Sequence, residues 1–181
     1  MIARGRPVWV RADRSANVSV EVDVSENPDG RGGSGIAQGV HVLRNAHSGL
    51  VLGVEGGRTH SGASVRQVPA DDTDGQRWRI TAVHPGGGVH HLEHVASGKR
   101  LDVTGASVDN GAPVQLWRAN NFGAQEWIIE EHPESPGRVS LINYVSGLLL
   151  EVADASTEAD ARVRQWEDTD HPAQWWRLER G

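Results

Sequence analysis

No cysteine occurs in the 181-residue chain, which removes disulfide frameworks, thiolate zinc sites and cysteine nucleophiles together. Long apolar runs are missing too. Nothing approaches the roughly 20 residues needed to span a bilayer, and the N-terminus MIARGRPVWVRADRS has no continuous apolar segment after its arginines. Neither a membrane span nor a signal peptide is visible, so the expected location is the cytoplasm, or the exterior by a signal-independent route. Basic charge is scarce: 18 Lys and Arg stand against 24 Asp and Glu, for a formal charge of -6. Without a basic cluster to mark a phosphate-binding groove or a membrane patch, nucleic acid is excluded as an expected partner. Tyr and Phe occur once each, against seven Trp. The 22 Gly and 8 Pro, with many Asp, Asn and Ser beside them, interrupt the chain too often for long helices. Its 37% apolar content is still enough to bury a core. An all-β protein is the expectation.

Three of the Trp stand in one recurring pattern. GQRWRI, AQEWII and AQWWRL place Gln76, Gln125 and Gln174 two residues before Trp78, Trp127 and Trp176, at intervals of 49 residues. The same interval relates Ser48-Gly49, Ser97-Gly98 and Ser146-Gly147, then Leu52, Leu101 and Leu150, and then Val54, Val103 and Val152. Three ungapped units follow, at 35–83, 84–132 and 133–181, with residues 1–34 in front.

Each unit reads as four strands, twelve in all. GVHHLEH is a first strand, SGKRLDV a turn into a second, APVQLW a third and QEWIIE a fourth, each with short alternating apolar positions bounded by turn residues. Propellers need about four blades to close around a channel. Three units point instead to a barrel with pseudo-threefold symmetry, which leaves no exposed sheet edge.

On these residues the chain resembles the ricin B-chain-type lectins, with their repeated Gln-x-Trp. The resemblance runs from about residue 35 to the end and implies a β-trefoil with carbohydrate binding and no catalysis or cofactor. Trp78, Trp127 and Trp176 are expected in the barrel centre, and Gln76, Gln125 and Gln174 in irregular turns that their amides satisfy. In lectins of this kind an acid accepts hydrogen bonds from two sugar hydroxyls, while an aromatic ring covers the apolar sugar face. Carried over residue by residue, the second unit matches best, with Asp102, Gln115, Trp117 and either Asn120 or Asn121. The third substitutes Glu151, Arg164 and Trp166 and is expected to be weak. The first has Gly53 and Val68 at the acceptor and ring positions and is expected to bind no sugar. All three units lack the Asn that the family often places before the Gln, having Gly75, Ala124 and Ala173. A galactose-type or xylan-type glycan is the expected partner. The alternatives are a trefoil scaffold that has lost sugar binding and docks a protein, and an accessory domain to a separately encoded enzyme.

Other features are read more simply. His84, His90, His91 and His94 are expected as solvent-facing histidines rather than as a metal site. No opposed carboxylate pair, nucleophile elbow or phosphate-binding loop supports an enzyme. In residues 1–34, PVWVRA and NVSVEVDVS alternate as two strands before the glycine-rich ENPDGRGGSG, an expected strand pair that packs on the trefoil or self-associates through residues 8–24.

Overall fold

The Ser-Gly pairs that recur every 49 residues mark places where the backbone must turn left-handed. In the computed structural model, which describes residues 38–181, Gly49, Gly98 and Gly147 have φ of 75°, 65° and 70°, a region glycine enters without steric cost. Their N–H groups donate to the carbonyls of Asn45, His94 and Asn143 at 3.0, 2.8 and 2.9 Å. The serine hydroxyl before each glycine accepts from the backbone N–H two residues on, at 3.2 Å in all three units. Each turn thereby leads a first strand into a second.

The first unit contains β1 (Gly39–Asn45), β2 (Val51–Val54), β3 (Val65–Val68) and β4 (Trp78–Ala82). The second contains β5 (Val89–His94), β6 (Lys99–Val103), β7 (Val114–Trp117) and β8 (Trp127–Glu131). The third contains β9 (Val139–Asn143), β10 (Leu149–Val152), β11 (Val163–Trp166) and β12 (Trp176–Arg180). First and fourth strands close an antiparallel ring in the order β1, β4, β5, β8, β9, β12 and back to β1. Second and third strands form three hairpins, joined to one another by single bridges such as Arg66–Arg162. This six-stranded barrel with three hairpins is the expected β-trefoil. No helix among the described residues is long and apolar enough to cross a membrane. The strand pair, linker and self-association expected within residues 1–34 lie outside the described residues.

The core repeats with the sequence. Leu43, Leu92 and Leu141, then Leu52, Leu101 and Leu150, and then Trp78, Trp127 and Trp176 are all fully buried. Each Trp indole N–H donates to a backbone carbonyl of its own unit: Leu52 at 3.0 Å, Leu101 at 3.1 Å and Leu150 at 3.0 Å. Burying a Trp forces its one polar atom to find an acceptor, and the second strand supplies it. The Gln of each motif bridges the turn before it, Gln76 from Asp71 N–H to Pro69 O, Gln125 from Asn120 N–H to Arg118 O, and Gln174 from Thr169 N–H to Glu167 O.

Two of the histidines expected to face solvent do not. His90 and His94 alternate with Leu92 on the buried face of β5, and burial lowers the pKa of both, holding them toward the neutral form. His94 takes the place of the buried Asn45 and Asn143. Its Nε2 lies 3.0 Å from Gly75 O and its Nδ1 2.8 Å from Ser97 Oγ. Asn45 and Asn143 likewise donate to Ala173 O and Ala124 O, at 2.9 and 3.1 Å. The polar pin between neighbouring units therefore sets this face of the strand, which the local pattern did not reveal. His84 is exposed and His91 half-buried on the opposite face, so the four rings do not converge.

Candidate functional site

Pairing of β6 with β7 sets Asp102 directly opposite Gln115. The Gln115 amide donates to Asp102 Oδ1 at 2.9 Å, and Gln125, from the Gln-x-Trp motif, donates to Oδ2 at 3.1 Å. Only 5% of Asp102 is exposed. Burial raises its carboxyl pKa above the usual carboxylate value, partly offset by the hydrogen bonds from Gln115 and Gln125. Above this acid opens a pocket of about 420 Å³, walled by Trp117, Phe122, Ala124, Asn120 and the 104–106 turn. Clefts of roughly 300–1,000 Å³ suit small ligands. Behind Trp117 stands the first unit, where a Cβ at Gly62 would lie 3.9 Å from the indole Cζ3. Asn121 is exposed and does not line the pocket.

The rim is braced from below. Arg100 donates to the Asn120 carbonyl at 3.0 Å and lies 3.2 Å from His91 Nε2. Burial, with the nearby Arg100 charge, lowers the His91 pKa to about 4, so the imidazole is neutral and accepts from the guanidinium.

The third unit fills its own pocket. Arg164 donates to Glu151 Oε1 through Nε at 3.0 Å and Nη2 at 2.9 Å, and Gln174 donates to Oε2 at 2.9 Å. The same guanidinium sits 4.1 Å from the Trp166 ring centroid and pairs with Asp154 at 3.2 Å. One arginine therefore occupies both the acceptor and the aromatic face. In the first unit a Cβ at Gly53 would lie 2.5 Å from Val68 Cγ2, so Val68 fills the volume an acid at this position would need. A smaller depression of about 260 Å³ lies where the hairpins meet, lined by Ser64, Arg66, Pro113, Arg162 and neighbouring valines. It has no carboxylate and no aromatic wall.

With this geometry in place, comparison with known proteins identifies the family. Residues 32–117 and 123–181 match the ricin-type beta-trefoil lectin domain-like family. The chain belongs to it. No curated protein matches. Among solved structures, this lectin domain is similar to ThreeFoil, a designed threefold-symmetric protein, at 34% identity and a TM-score of 0.74, over 77% of this chain and 96% of that one. It is similar to the exo-β-1,3-galactanase 1,3Gal43A of Clostridium thermocellum, at 27% identity and a TM-score of 0.75, over 81% of this chain but only 31% of the enzyme. It also has the fold of the Macrolepiota procera ricin B-like lectin solved with lactose, at 18% identity and a TM-score of 0.70, over 81% and 99% of the two chains.

Sequence reasoning about this lectin domain missed three features of the pocket. Gln125 serves more than its turn, since its amide also reaches the acid 23 positions upstream. Phe122, the single Phe of the chain, stands on the rim with 71% of its surface exposed; its isolation in a Trp-rich sequence was the available signal. The His91–Arg100–Asn120 brace left no signal in the local pattern, because its parts come from β5, β6 and a loop.

Proposed function

We propose that this lectin domain binds carbohydrate without catalysis, through the second unit alone. The observation that carries the reading is the buried Asp102 carboxylate at the floor of an open, aromatic-walled pocket. A carboxylate offers about four lone-pair directions. Gln115 and Gln125 use one on each oxygen, leaving capacity for two neighbouring hydroxyls while Trp117 covers a C–H face. Asn120 stands on the rim as a further polar contact, whereas Asn121 lies outside the pocket. Lactose in the Macrolepiota lectin structure and the β-1,3-galactan named for the clostridial enzyme support galactosides as first probes, with xylan-type sugars next. Two of the three pockets are filled by the chain's own side chains, and this favours a second reading for those two units: scaffold surface rather than binding site.

A glycan array followed by calorimetric titration tests the proposal. One sugar per chain is expected. The double substitution Glu151→Asp with Arg164→Gln recreates the second unit's acceptor and removes the arginine from Trp166, so it should raise the stoichiometry to two. Failure of galactose-type, xylan-type and other common glycans to bind the folded chain would sink the reading.

The affinity should also depend on acid. Asp102 accepts its strongest hydrogen bonds from sugar hydroxyls when ionised, since protonation turns one oxygen into a donor and removes the charge, and its folded-state pKa is raised. Binding is therefore full above that raised value and weakens as pH falls through it, beginning at a higher pH than for an ordinary Asp. Titrations between about pH 7 and pH 4 check this. A flat wild-type profile over that range, matching that of Asp102→Asn, would remove Asp102 from the ligand.

A further inference from the structure

Among the described residues, four large apolar side chains are exposed: Val108, Phe122, Tyr144 and Val145. Three of these gather beside the Asp102 pocket. The turn after Phe122 abuts the β9–β10 loop so closely that a Cβ at Gly123 would lie 2.5 Å from Val145 Cγ2 and 3.5 Å from Tyr144 Cδ1. The contact is pinned by backbone and side chain: Tyr144 N–H donates to Glu126 O at 2.9 Å, and Asn143 Nδ2 donates to Ala124 O at 3.1 Å. Phe122 belongs to both surfaces, since it also walls the pocket.

Neither of the other two units has a Phe or Tyr at these positions. At the 49-residue offset the first unit has Thr73 with Val95 and Ala96, and the third has His171 with Ala46 and His47, the two imidazoles meeting edge to face at 5.0 Å. Among the described residues an exposed Phe beside an exposed Tyr thus occurs only at the unit whose pocket is open, the third unit having the more polar imidazole pair instead. Folding does not account for it, because Tyr144 is 57% and Phe122 71% exposed, and a clustered exposed apolar patch marks a contact surface. The tyrosine hydroxyl and the Glu126 carboxylate, whose Oε2 would lie 3.7 Å from a Cβ at Gly123, border it with hydrogen-bonding groups. Exposed aromatic rings edged by such groups suit a pyranose ring, with its apolar face and hydroxyl rim.

We propose that Phe122, Tyr144 and Val145 form a second sugar subsite, so that the second unit takes an oligosaccharide of at least two rings, one above Asp102 and the next across Phe122 onto Tyr144. The proposal rests on the reading of the Asp102 pocket as a sugar site. The test titrates the full chain with galactose and lactose, and in parallel with xylose and xylobiose. The disaccharide of the recognised pair should bind about three- to tenfold more tightly than its monosaccharide. Tyr144→Ala should erase that gain while leaving monosaccharide affinity and melting temperature unchanged, and Tyr144→Phe should keep most of it.

Equal affinities for one and two rings in a wild-type chain that binds the monosaccharide through Trp117 would overturn the second subsite alone. So would a Tyr144→Ala variant that retains the disaccharide preference. A change in solution mass on Tyr144→Ala would instead make the patch an interface between copies, which also overturns the subsite. Binding of neither ring length by a folded chain overturns the pocket reading and the second subsite with it.

Discussion

Asp102→Ala is expected to lower sugar affinity roughly ten- to hundredfold while leaving the fold almost unchanged. Hydrogen bonds to a charged acceptor are worth about 1.5–3 kcal/mol each when the partner group is lost, and a tenfold change in affinity is about 1.4 kcal/mol. The small effect on stability follows from the direction of the pKa shift. Because the folded-state pKa is raised, any stabilisation from this carboxyl is present below the ordinary Asp value and lost as pH rises through the raised one. At neutral pH the ionised group is therefore tolerated at a cost, and its removal relieves that cost. Gln125 keeps Arg118 O as an acceptor after the change. The melting temperature should move by only about 3 °C. Trp117→Ala should weaken binding comparably by removing the platform, whereas Glu151→Ala should not, because Glu151 is already engaged by Arg164 and Gln174. Calorimetry on the three variants, with thermal melts alongside, checks the ranking; equal losses from Asp102→Ala and Glu151→Ala would refute it.

Trp127→Ala should have the opposite signature, with a large loss of stability. Removing a fully buried Trp costs about 3–5 kcal/mol through lost burial and the cavity left behind. It also leaves the Leu101 carbonyl without the indole donor at 3.1 Å, which places the cost toward the upper end. For a domain of this size that is a drop on the order of 10–20 °C in melting temperature. Trp78→Ala and Trp176→Ala should fall within about 1 kcal/mol of it, since each has the same burial and an indole bond of 3.0 Å. Trp175→Ala is the control. That ring is only partly buried, against His132 at 4.9 Å and Arg138 at 5.4 Å, and should cost under about 1.5 kcal/mol. Denaturant melts that put Trp127→Ala beside Trp175→Ala would show that the three Trp do not share the central role assigned to them.

These two signatures separate what was legible in the chain from what was not. The core Trp, Leu and Val positions could be read directly, because burial on a strand imposes a period of two and the threefold repeat imposes one of 49, and both survive in a linear string. The acid, the amide and the ring of the second unit could be read as well, by their resemblance to a sugar-binding pattern. Their neighbours could not. Phe122 carries no periodicity, Gln125 serves a turn and a pocket at once, and the buried face of β5 is set by His94 standing where the other units have Asn.

The sequence by itself determined three units of four strands in a pseudo-threefold barrel and the identity of the core residues, since these are carried by residue type and spacing along one strand or turn, while its resemblance to the ricin B-chain-type lectins implied the β-trefoil and the inequality of the units. Tertiary structure decided which pockets are open. Arg164 lies over Trp166 and against Glu151, Val68 occupies the space beside Gly53, and Gln115 and Gln125 hold Asp102 beneath an unfilled cavity. Whether a side chain occupies a pocket or lines it depends on its conformation and on partners brought from other strands and units, and spacing along the chain does not encode either.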